Sequence, residues 1–234
     1  MNIVIIPARA GSKRIPNKNI LEFNGSPFLV STISFFKKSN LIDKIFVSTD
    51  SLEIAEIAKN SGALVPFIRP KKISSDKAST IEVIKHFIKN TPEVSSQDIV
   101  LCAYPANPFL KKEDIKKSLK LIKENKNKFV VPVTSFSHPI ERALILSDEG
   151  LKPYFNSTDF KSNTQNLKEV FHDVGQFYLA QAQSWLEKED SILNDALPIF
   201  IPRFRAIDID TEEDLAFAKI LFHGNSFYEN SDKG

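Results

Sequence analysis

Short apolar runs rich in β-branched residues recur along the chain, separated by turn-forming and charged residues. Continuous apolar runs of this length are typical of strands buried on both faces of a parallel sheet. We therefore predict strands at residues 2–7, 44–49, 64–68, 98–104, 129–133, 175–180 and 197–201.

Between these runs, apolar residues recur every three or four positions, with lysine and glutamate on the remaining face. This spacing predicts amphipathic helices. Pro27 suits a first helical position, Asp50 or Ser51 can cap the second helix, and the spacing of Thr211 and Asp214 resembles a capping box. The predicted helices span residues 27–38, 51–60, 79–89, 113–123 and 211–222.

The alternation of strands and helices predicts the fold class. Right-handed βαβ units place helices on both faces of a largely parallel sheet. We expect an α/β fold, a doubly wound three-layer α/β/α sandwich, with residues 1–222 as a single domain. Residues 223–234 are polar and are expected to form a loose tail.

The alternation breaks over residues 135–170, which are polar and carry Gly150 and two prolines. Short apolar runs at residues 142–146 and 152–155 predict a β-hairpin arm inserted into the core domain. Aromatic side chains on the arm predict a homodimer contact, the alternative being that they fold back on the parent domain. These aromatic residues are Phe136, Tyr154, Phe155 and Phe160.

Composition narrows the cellular context. The 234 residues include 31 Lys and Arg against 29 Asp and Glu, and this balance gives no indication of nucleic-acid or membrane partners. The single cysteine, Cys102, can form neither an internal disulfide nor a zinc site and is expected in the core. No apolar run approaches the ~18–20 residues that cross a bilayer, and no signal-peptide pattern opens the chain. We expect a cytoplasmic protein.

A basic segment directly follows the first predicted strand. It contains the four cations Arg9, Lys13, Arg14 and Lys18 together with Gly11 and Ser12. At the carboxyl end of a parallel strand, such a segment would surround a polyphosphate with positive charge and backbone N–H groups. It matches neither the Walker pattern nor the dinucleotide fingerprint. The alternative interpretation is a solvated basic loop.

Asp208 and Asp210 alternate with isoleucines, so a strand would point both carboxylates to one face. Two oxygen ligands on one side suit Mg²⁺. A carboxylate pair for acid–base hydrolysis and a capping role for Asp210 are the alternatives. Four other parts of the chain also follow predicted strands, namely the basic segment, Asp50, Arg69 and Tyr104. Open α/β sheets bind ligands at the carboxyl ends of their strands, so we expect these residues to meet at one site.

A third group of polar residues lies on or beside the predicted arm. We favour sugar recognition for Gln176 and Tyr178, and Arg142 as a partner for a carboxylate through bidentate hydrogen bonds. His172 and Asp173 are adjacent in the sequence, and adjacent residues on a strand point their side chains to opposite faces. They are therefore expected to contact separate partners rather than form a catalytic dyad.

The sequence resembles the cytidylyltransferases that activate nonulosonic acids, the CMP-sialic acid synthetase group. The resemblance covers residues 1–222 and rests on IPARAGSKRIPNKN at 6–19, VSTD at 47–50, RP at 69–70 followed by SSD at 74–76, and IDIDTEEDL at 207–215. TSFSHPIERAL at 134–144, NTQNL at 163–167 and FHDVGQFYLAQAQSW at 171–185 are similar to its pseudaminic acid branch. The chain departs from the family at residues 104–108, YPANP in place of QPTSP, and at 163–166, NTQN in place of the branch's RTQD.

The resemblance implies a nucleotide-diphospho-sugar transferase fold and transfer of a cytidylyl group from CTP to an acidic nine-carbon sugar. Arg9 and Lys18 would serve catalysis at the phosphates, Asp208 and Asp210 would hold Mg²⁺, and members pair through the arm. The implied nucleotide contacts are Ala8, Arg9, Gly11, Ser12, Lys13, Lys18, Asn19, Arg69 and Ser75, and the sugar contacts are Tyr104, Arg142, Gln176 and Tyr178.

Alternatives remain open for the acceptor and for the reaction. Legionaminic or sialic acid could replace pseudaminic acid as acceptor. A nucleotide-binding module without turnover needs no carboxylate pair, and a phosphate-ester hydrolase would use Asp208 and Asp210 as acid and base.

Overall fold

The computed structural model describes residues 1–155 and 167–231, with side chains described as far as residue 224. The predicted arm therefore lies partly outside the described residues, as do Phe160 and the NTQN segment. Within the described residues the six α-helices are α1 (Phe28–Ser39), α2 (Leu52–Asn60), α3 (Thr80–Lys89), α4 (Lys112–Glu124), α5 (Ala182–Glu187) and α6 (Glu212–Ser231).

The strands of the main sheet follow the predicted apolar runs closely, except for β9, which was not predicted. They are β1 (Asn2–Pro7), β4 (Lys44–Ser48), β5 (Ile99–Ala103), β6 (Val130–Ser135), β9 (Phe171–Asp173), β10 (Phe177–Gln181) and β11 (Leu197–Phe200). Two small hairpins lie outside this sheet, formed by β2 (Glu22–Phe23) with β3 (Ser26–Pro27) and by β7 (Leu144–Ser147) with β8 (Gly150–Pro153).

The main sheet has the order β11–β6–β10–β5–β1–β4, with β9 paired to the end of β6. Strand β1 pairs in parallel with both β4 and β5, and β11 pairs in parallel with β6. Strand β10 is antiparallel to β5 and to β6. Five strands along this path therefore share one direction and β10 opposes them, which confirms a mainly parallel sheet.

Side chains on the two faces of β1 enter two separate cores, which makes the fold three-layered. Val4 and Ile6 pack with α1, α2 and α4. Ile3 and Ile5 pack with α3 and α5, including the fully buried Trp185. Cys102 is fully buried in the second of these cores, as expected. A strand without exposed faces needs apolar residues at every position, which is the pattern that the run at 2–7 shows.

The helix starts agree with the predicted caps at two places. The Ser51 side chain accepts a hydrogen bond from the Ile54 N–H, and the Asp214 carboxylate accepts from the Thr211 N–H while the Thr211 hydroxyl accepts from Asp214. Pro27 differs, since it precedes the first helical residue as the N-cap.

Two predicted boundaries are wrong. Residues 64–68 form only isolated bridges beside β4 because Pro66 has no N–H to continue a ladder. The last helix does not end at residue 222, and α6 runs through the expected loose tail to Ser231. Extending an existing helix adds one hydrogen bond for each residue that is fixed, and no proline interrupts this segment.

The predicted hairpin is present as β7 and β8, joined by a tight turn with Gly150 at φ +108°. Leu144, Ile145, Leu146 and Leu151 on this hairpin are exposed. None of the helices within residues 1–155 and 167–231 has the length and apolarity to cross a membrane.

Candidate active site

An open cleft of about 290 Å³ lies where β1, β4 and β5 end, and we call it the basic cleft. The basic segment forms one wall, residues 69–80 form the opposite wall, and Tyr104 and Asp210 lie at its edge. Its lining includes the predicted residues Arg9, Ser12, Lys13, Arg14, Lys18, Asn19, Arg69, Ser75 and Tyr104. The carboxyl ends of parallel strands thus bring distant segments together.

Hydrogen bonds from neighbouring strands fix the backbone of the basic segment. Ala8 is fully buried and its N–H donates to the Ser48 carbonyl oxygen at 2.9 Å. The Ala10 N–H donates to the Asp50 carboxylate at 3.0 Å, and the Asn19 side-chain amide donates to the Arg9 carbonyl oxygen at 2.8 Å. Ala8 and Asn19 therefore hold the loop, while a Cβ at Gly11 would meet no atom within 4 Å.

Carboxylates pair the cations of the basic segment. Arg9 and Lys13 both contact the Asp76 carboxylate, and these two cations hold the pKa of Asp76 below its usual value. Arg14 and Lys18 both contact Asp210, at 2.7 and 3.0 Å. A bound triphosphate would compete with these carboxylates for the same cations.

Arg69 is the buried cation of the basic cleft. Its side chain is 3% exposed, and its Nε donates to the Ser74 hydroxyl at 3.1 Å. Burial lowers its pKa, although the nearby Asp50 carboxylate opposes this effect. A guanidinium held in this way presents fixed donors to a planar or anionic ligand. Ser75 lies near it on the same wall.

A second cleft, also of about 290 Å³, adjoins the first, and we call it the carboxylate cleft. Lys18, Asn19, Tyr104 and Asp210 line both clefts. The remaining polar side chains of its wall are Asn107, Asp173, Tyr178 and Asp208. The shared residues make the two clefts parts of one site.

Asp208 and Asp210 reach the carboxylate cleft together, as their spacing predicts. Burial raises the pKa of Asp208, and repulsion from Asp210 adds to this effect. Within the described residues the Asp208 carboxylate makes no hydrogen bond or ion pair, whereas Asp210 is paired with cations. An unpaired carboxylate beside a second one fits a divalent cation, which would offset their repulsion. No larger cluster of three or more metal-binding side chains occurs in the described part of the chain.

Two tyrosines, the half-buried Tyr104 and the buried Tyr178, line the carboxylate cleft. The Tyr104 hydroxyl contacts the Thr80 hydroxyl, and the Tyr178 hydroxyl donates to the Asp173 carboxylate. The rings meet edge to face with centroids 6.1 Å apart. Burial raises the pKa of both phenols above the usual value, so both hydroxyls stay protonated at neutral pH.

The sequence profile described as Cytidylyltransferase matches residues 3–231. The chain belongs to this cytidylyltransferase family. It is 39% identical to the pseudaminic acid cytidylyltransferase of Campylobacter jejuni over 96% of this chain and 97% of the relative. It is 30% identical to the CMP-N,N'-diacetyllegionaminic acid synthase of Legionella pneumophila over 95% and 97% of the two chains.

Solved structures agree with the predicted nucleotidyltransferase fold. A CMP:2-keto-3-deoxy-manno-octonic acid synthetase complexed with CTP is similar at a TM-score of 0.67, with 14% identity, over 96% of this chain and all of the other. A 4-diphosphocytidyl-2C-methyl-D-erythritol synthase is similar at a TM-score of 0.66, with 13% identity, over 94% and 98%. At these identities the likeness concerns the fold.

Two predicted sugar contacts of this cytidylyltransferase lie outside both clefts. Gln176 is fully buried, and its Nε2 donates to the Arg205 carbonyl oxygen at 2.7 Å. It precedes β10 at a turn after Gly175, so the alternation that places Tyr178 in the cleft does not extend to it. Arg142 lies exposed in a short 3-10 turn of the arm.

Three acidic residues of the site have partners that the sequence does not identify. The sequence allows Asp50 either to cap the second helix or to face the cleft; Ser51 caps α2, and Asp50 holds the basic segment. Asp76 lies in a loop without periodicity, so its pairing with Arg9 carried no sequence signal. Asp173 was expected to face a partner of its own, and that partner is Tyr178.

Proposed function

We propose that this cytidylyltransferase transfers the cytidylyl group of CTP to an acidic nine-carbon sugar, pseudaminic acid, giving the CMP-sugar and pyrophosphate for glycosylation of cell-surface structures. The observation that carries the proposal is the junction of the two clefts at Lys18 and Asp210. A cationic cleft suited to a triphosphate meets a polar cleft suited to a sugar at a carboxylate pair. The relative that is 39% identical over almost its whole length supports the choice of sugar.

CTP would lie in the basic cleft, with its triphosphate against Arg9, Ser12, Lys13 and Lys18. Arg69 and Ser75 would contact the cytosine, where a donor fixed by burial, as Arg69 is, discriminates between bases. Lys13 and Arg9 would exchange Asp76 for phosphate oxygens. Fixed charges aimed at the phosphates need no reorganisation during the reaction, which is why they accelerate it.

The sugar would occupy the carboxylate cleft, against Tyr104 and Tyr178. Its anomeric hydroxyl oxygen forms a bond to the α-phosphorus, the bond from that phosphorus to the bridging oxygen breaks, and pyrophosphate leaves while the hydroxyl proton passes to solvent. Lys18 lies at the junction, where it would meet charge on the leaving group. Positioning and electrostatic stabilisation do most of the work in such transfers.

Asp208 and Asp210 would hold Mg²⁺ at this junction, since their carboxylates share one cleft and Asp208 has no other partner in the described residues. When bound, Mg²⁺ neutralises charge on the phosphates and orients them. We place the reaction in the cytoplasm, where CTP and reduced cysteine are found.

The exposed apolar side chains of β7 and β8 support a homodimer formed through the arm. Leu146 is 78% exposed and Leu151, its partner across the hairpin, is 67% exposed. A two-stranded hairpin is marginally stable alone, so a second copy that covers this face would stabilise it. Arg142 lies on the same arm, where it would reach the neighbouring sugar site.

Incubation of the protein with CTP, Mg²⁺ and a panel of nonulosonic acids tests the proposal, with the product identified by mass spectrometry. Pseudaminic acid should give its CMP derivative at the highest kcat/KM. The relative that is 30% identical makes legionaminic acid the informative competitor. A higher kcat/KM with legionaminic acid would overturn the assignment of the sugar.

A further inference from the structure

Asp173 ends β9 with its side chain in the carboxylate cleft. Its Oδ1 accepts a hydrogen bond from the Gly175 N–H at 2.9 Å, and its Oδ2 accepts from the Tyr178 hydroxyl. One bond comes from the turn that follows β9 and the other from β10, so the orientation of the carboxylate is set before any ligand binds. Each oxygen retains a free lone pair, because a carboxylate offers about four acceptor positions.

Tyr178 has its hydroxyl proton engaged with Asp173. A phenol carries one proton, so the Tyr178 oxygen can only accept a further hydrogen bond. Asp173 and Tyr178 together therefore present a wall of acceptors to the cleft. Such a wall fits a ligand group that donates, and a ligand that only accepts would leave these oxygens without partners.

The charges in the carboxylate cleft indicate how an acidic sugar would be oriented there. Lys18 is the one cation lining the carboxylate cleft in the described part of the chain, and it lies against Asp210. Asp173 carries a negative charge on the same cleft and has no cation among its hydrogen-bond partners. An acidic sugar would therefore turn its carboxylate away from Asp173 and its neutral donors toward it.

We infer that Asp173 determines sugar specificity by accepting a hydrogen bond from an amide N–H or hydroxyl of the acidic sugar, held for that purpose by Tyr178 and Gly175. The inference rests on the proposed function, because it assigns the sugar to the carboxylate cleft. It gives the end of β9 a role in choosing among acidic sugars. A polar site of this kind rejects analogues that lack the matching donor.

Two variants test the inference, Asp173→Ala and Asp173→Asn. The second retains an acceptor for Tyr178 and so protects the fold. Both should lower kcat/KM for the sugar by about 10- to 100-fold, the effect of losing one hydrogen bond to a charged group. KM for CTP, and CTP binding measured by calorimetry without sugar, should stay within about twofold, since Asp173 lies outside the basic cleft. Asp195→Asn, on an exposed carboxylate paired with Lys128, is the matched control.

Sugar analogues separate recognition from support of the fold. Each hydroxyl or acetamido group of the sugar is replaced in turn by hydrogen, which also distinguishes an O–H donor from an N–H donor. One replacement should cost the unaltered enzyme about 10- to 100-fold in kcat/KM but cost Asp173→Ala almost nothing. Equal losses in both enzymes for every analogue would overturn the inference, as would a changed Mg²⁺ requirement without a change in sugar discrimination. Failure of the proposed function would appear differently, as no CMP-sugar from the unaltered enzyme.

Discussion

The Lys18 ammonium group contacts the Asp210 carboxylate at 3.0 Å and donates to the Ile209 carbonyl oxygen at 2.7 Å, across 192 and 191 positions of the chain. This pair joins the basic segment after β1 to the aspartates before α6. It lies where the two clefts meet. The Lys18 charge, which we propose acts on the leaving group, is therefore held in place by the 208–210 segment, which we propose holds the metal. The pair therefore joins the basic cleft to the carboxylate cleft.

Lys18→Ala should lower kcat by about 10²- to 10³-fold, by analogy with the removal of one preorganised donor from a reaction centre. Arg9→Ala should have an effect of similar size. Steady-state kinetics with saturating sugar measure the loss, and circular dichroism checks the fold. Lys59→Ala, which removes a surface pair with Glu56, is the control. Near-normal turnover in both site variants would contradict the placement of the triphosphate.

Asp208→Asn and Asp210→Asn should both abolish turnover but differ in stability without metal. Asp208 has no cation partner in the described residues, so its neutral replacement should leave the thermal midpoint unchanged or raise it. Asp210→Asn leaves Arg14 and Lys18 unpaired and should lower the midpoint. Calorimetric melting in a chelator measures this difference, and the opposite order would contradict the assigned roles.

Asp50 and Ser51 are adjacent, and the structure assigns them different tasks. Asp50→Ala removes the acceptor of the Ala10 N–H and should raise KM for CTP by about 10-fold, the effect of one hydrogen bond to a charged group. Ser51→Ala removes the cap of α2 and should cost about 1 kcal/mol of stability with KM for CTP unchanged. Kinetics and urea unfolding on both variants measure the two effects. Identical behaviour of the variants would contradict the loop-holding role of Asp50.

Leu146→Asp should convert the proposed dimer into a monomer, because it places a charge on the exposed apolar face of the β7–β8 hairpin. Light scattering at micromolar concentration measures the mass. Leu52→Asp is the control, since Leu52 is similarly exposed but lies at the start of α2. A monomeric unaltered protein that still turns over CTP, or a dimeric Leu146→Asp variant, would contradict the arm contact.

Sequence periodicity predicted the strands that position the site, because buried parallel strands need continuous apolar runs. Once the strand ends were known, the meeting of Arg9, Arg69 and Tyr104 followed from the sheet. The spacing of Asp208 and Asp210 was also sufficient to predict that their side chains lie together, since both line one cleft.

Other parts of the site depend on contacts that no local pattern encodes. Asp76 lies in a loop without periodicity, and it pairs with Arg9, which is 67 positions earlier in the chain. Gln176 lies outside both clefts because the alternation of β10 begins only at Phe177, after a glycine with positive φ. The apolar residues around Pro66 favoured a strand at 64–68, but Pro66 has no N–H and only isolated bridges form there.

Pyrophosphate release tests the central claim most directly. The protein is incubated with CTP and Mg²⁺, with and without pseudaminic acid, and pyrophosphate is measured alongside the CMP-sugar. We predict no release without the sugar, and with it one pyrophosphate for each CMP-sugar formed. Pyrophosphate or free phosphate released from CTP in the absence of sugar, or CTP binding without release in its presence, would contradict cytidylyl transfer.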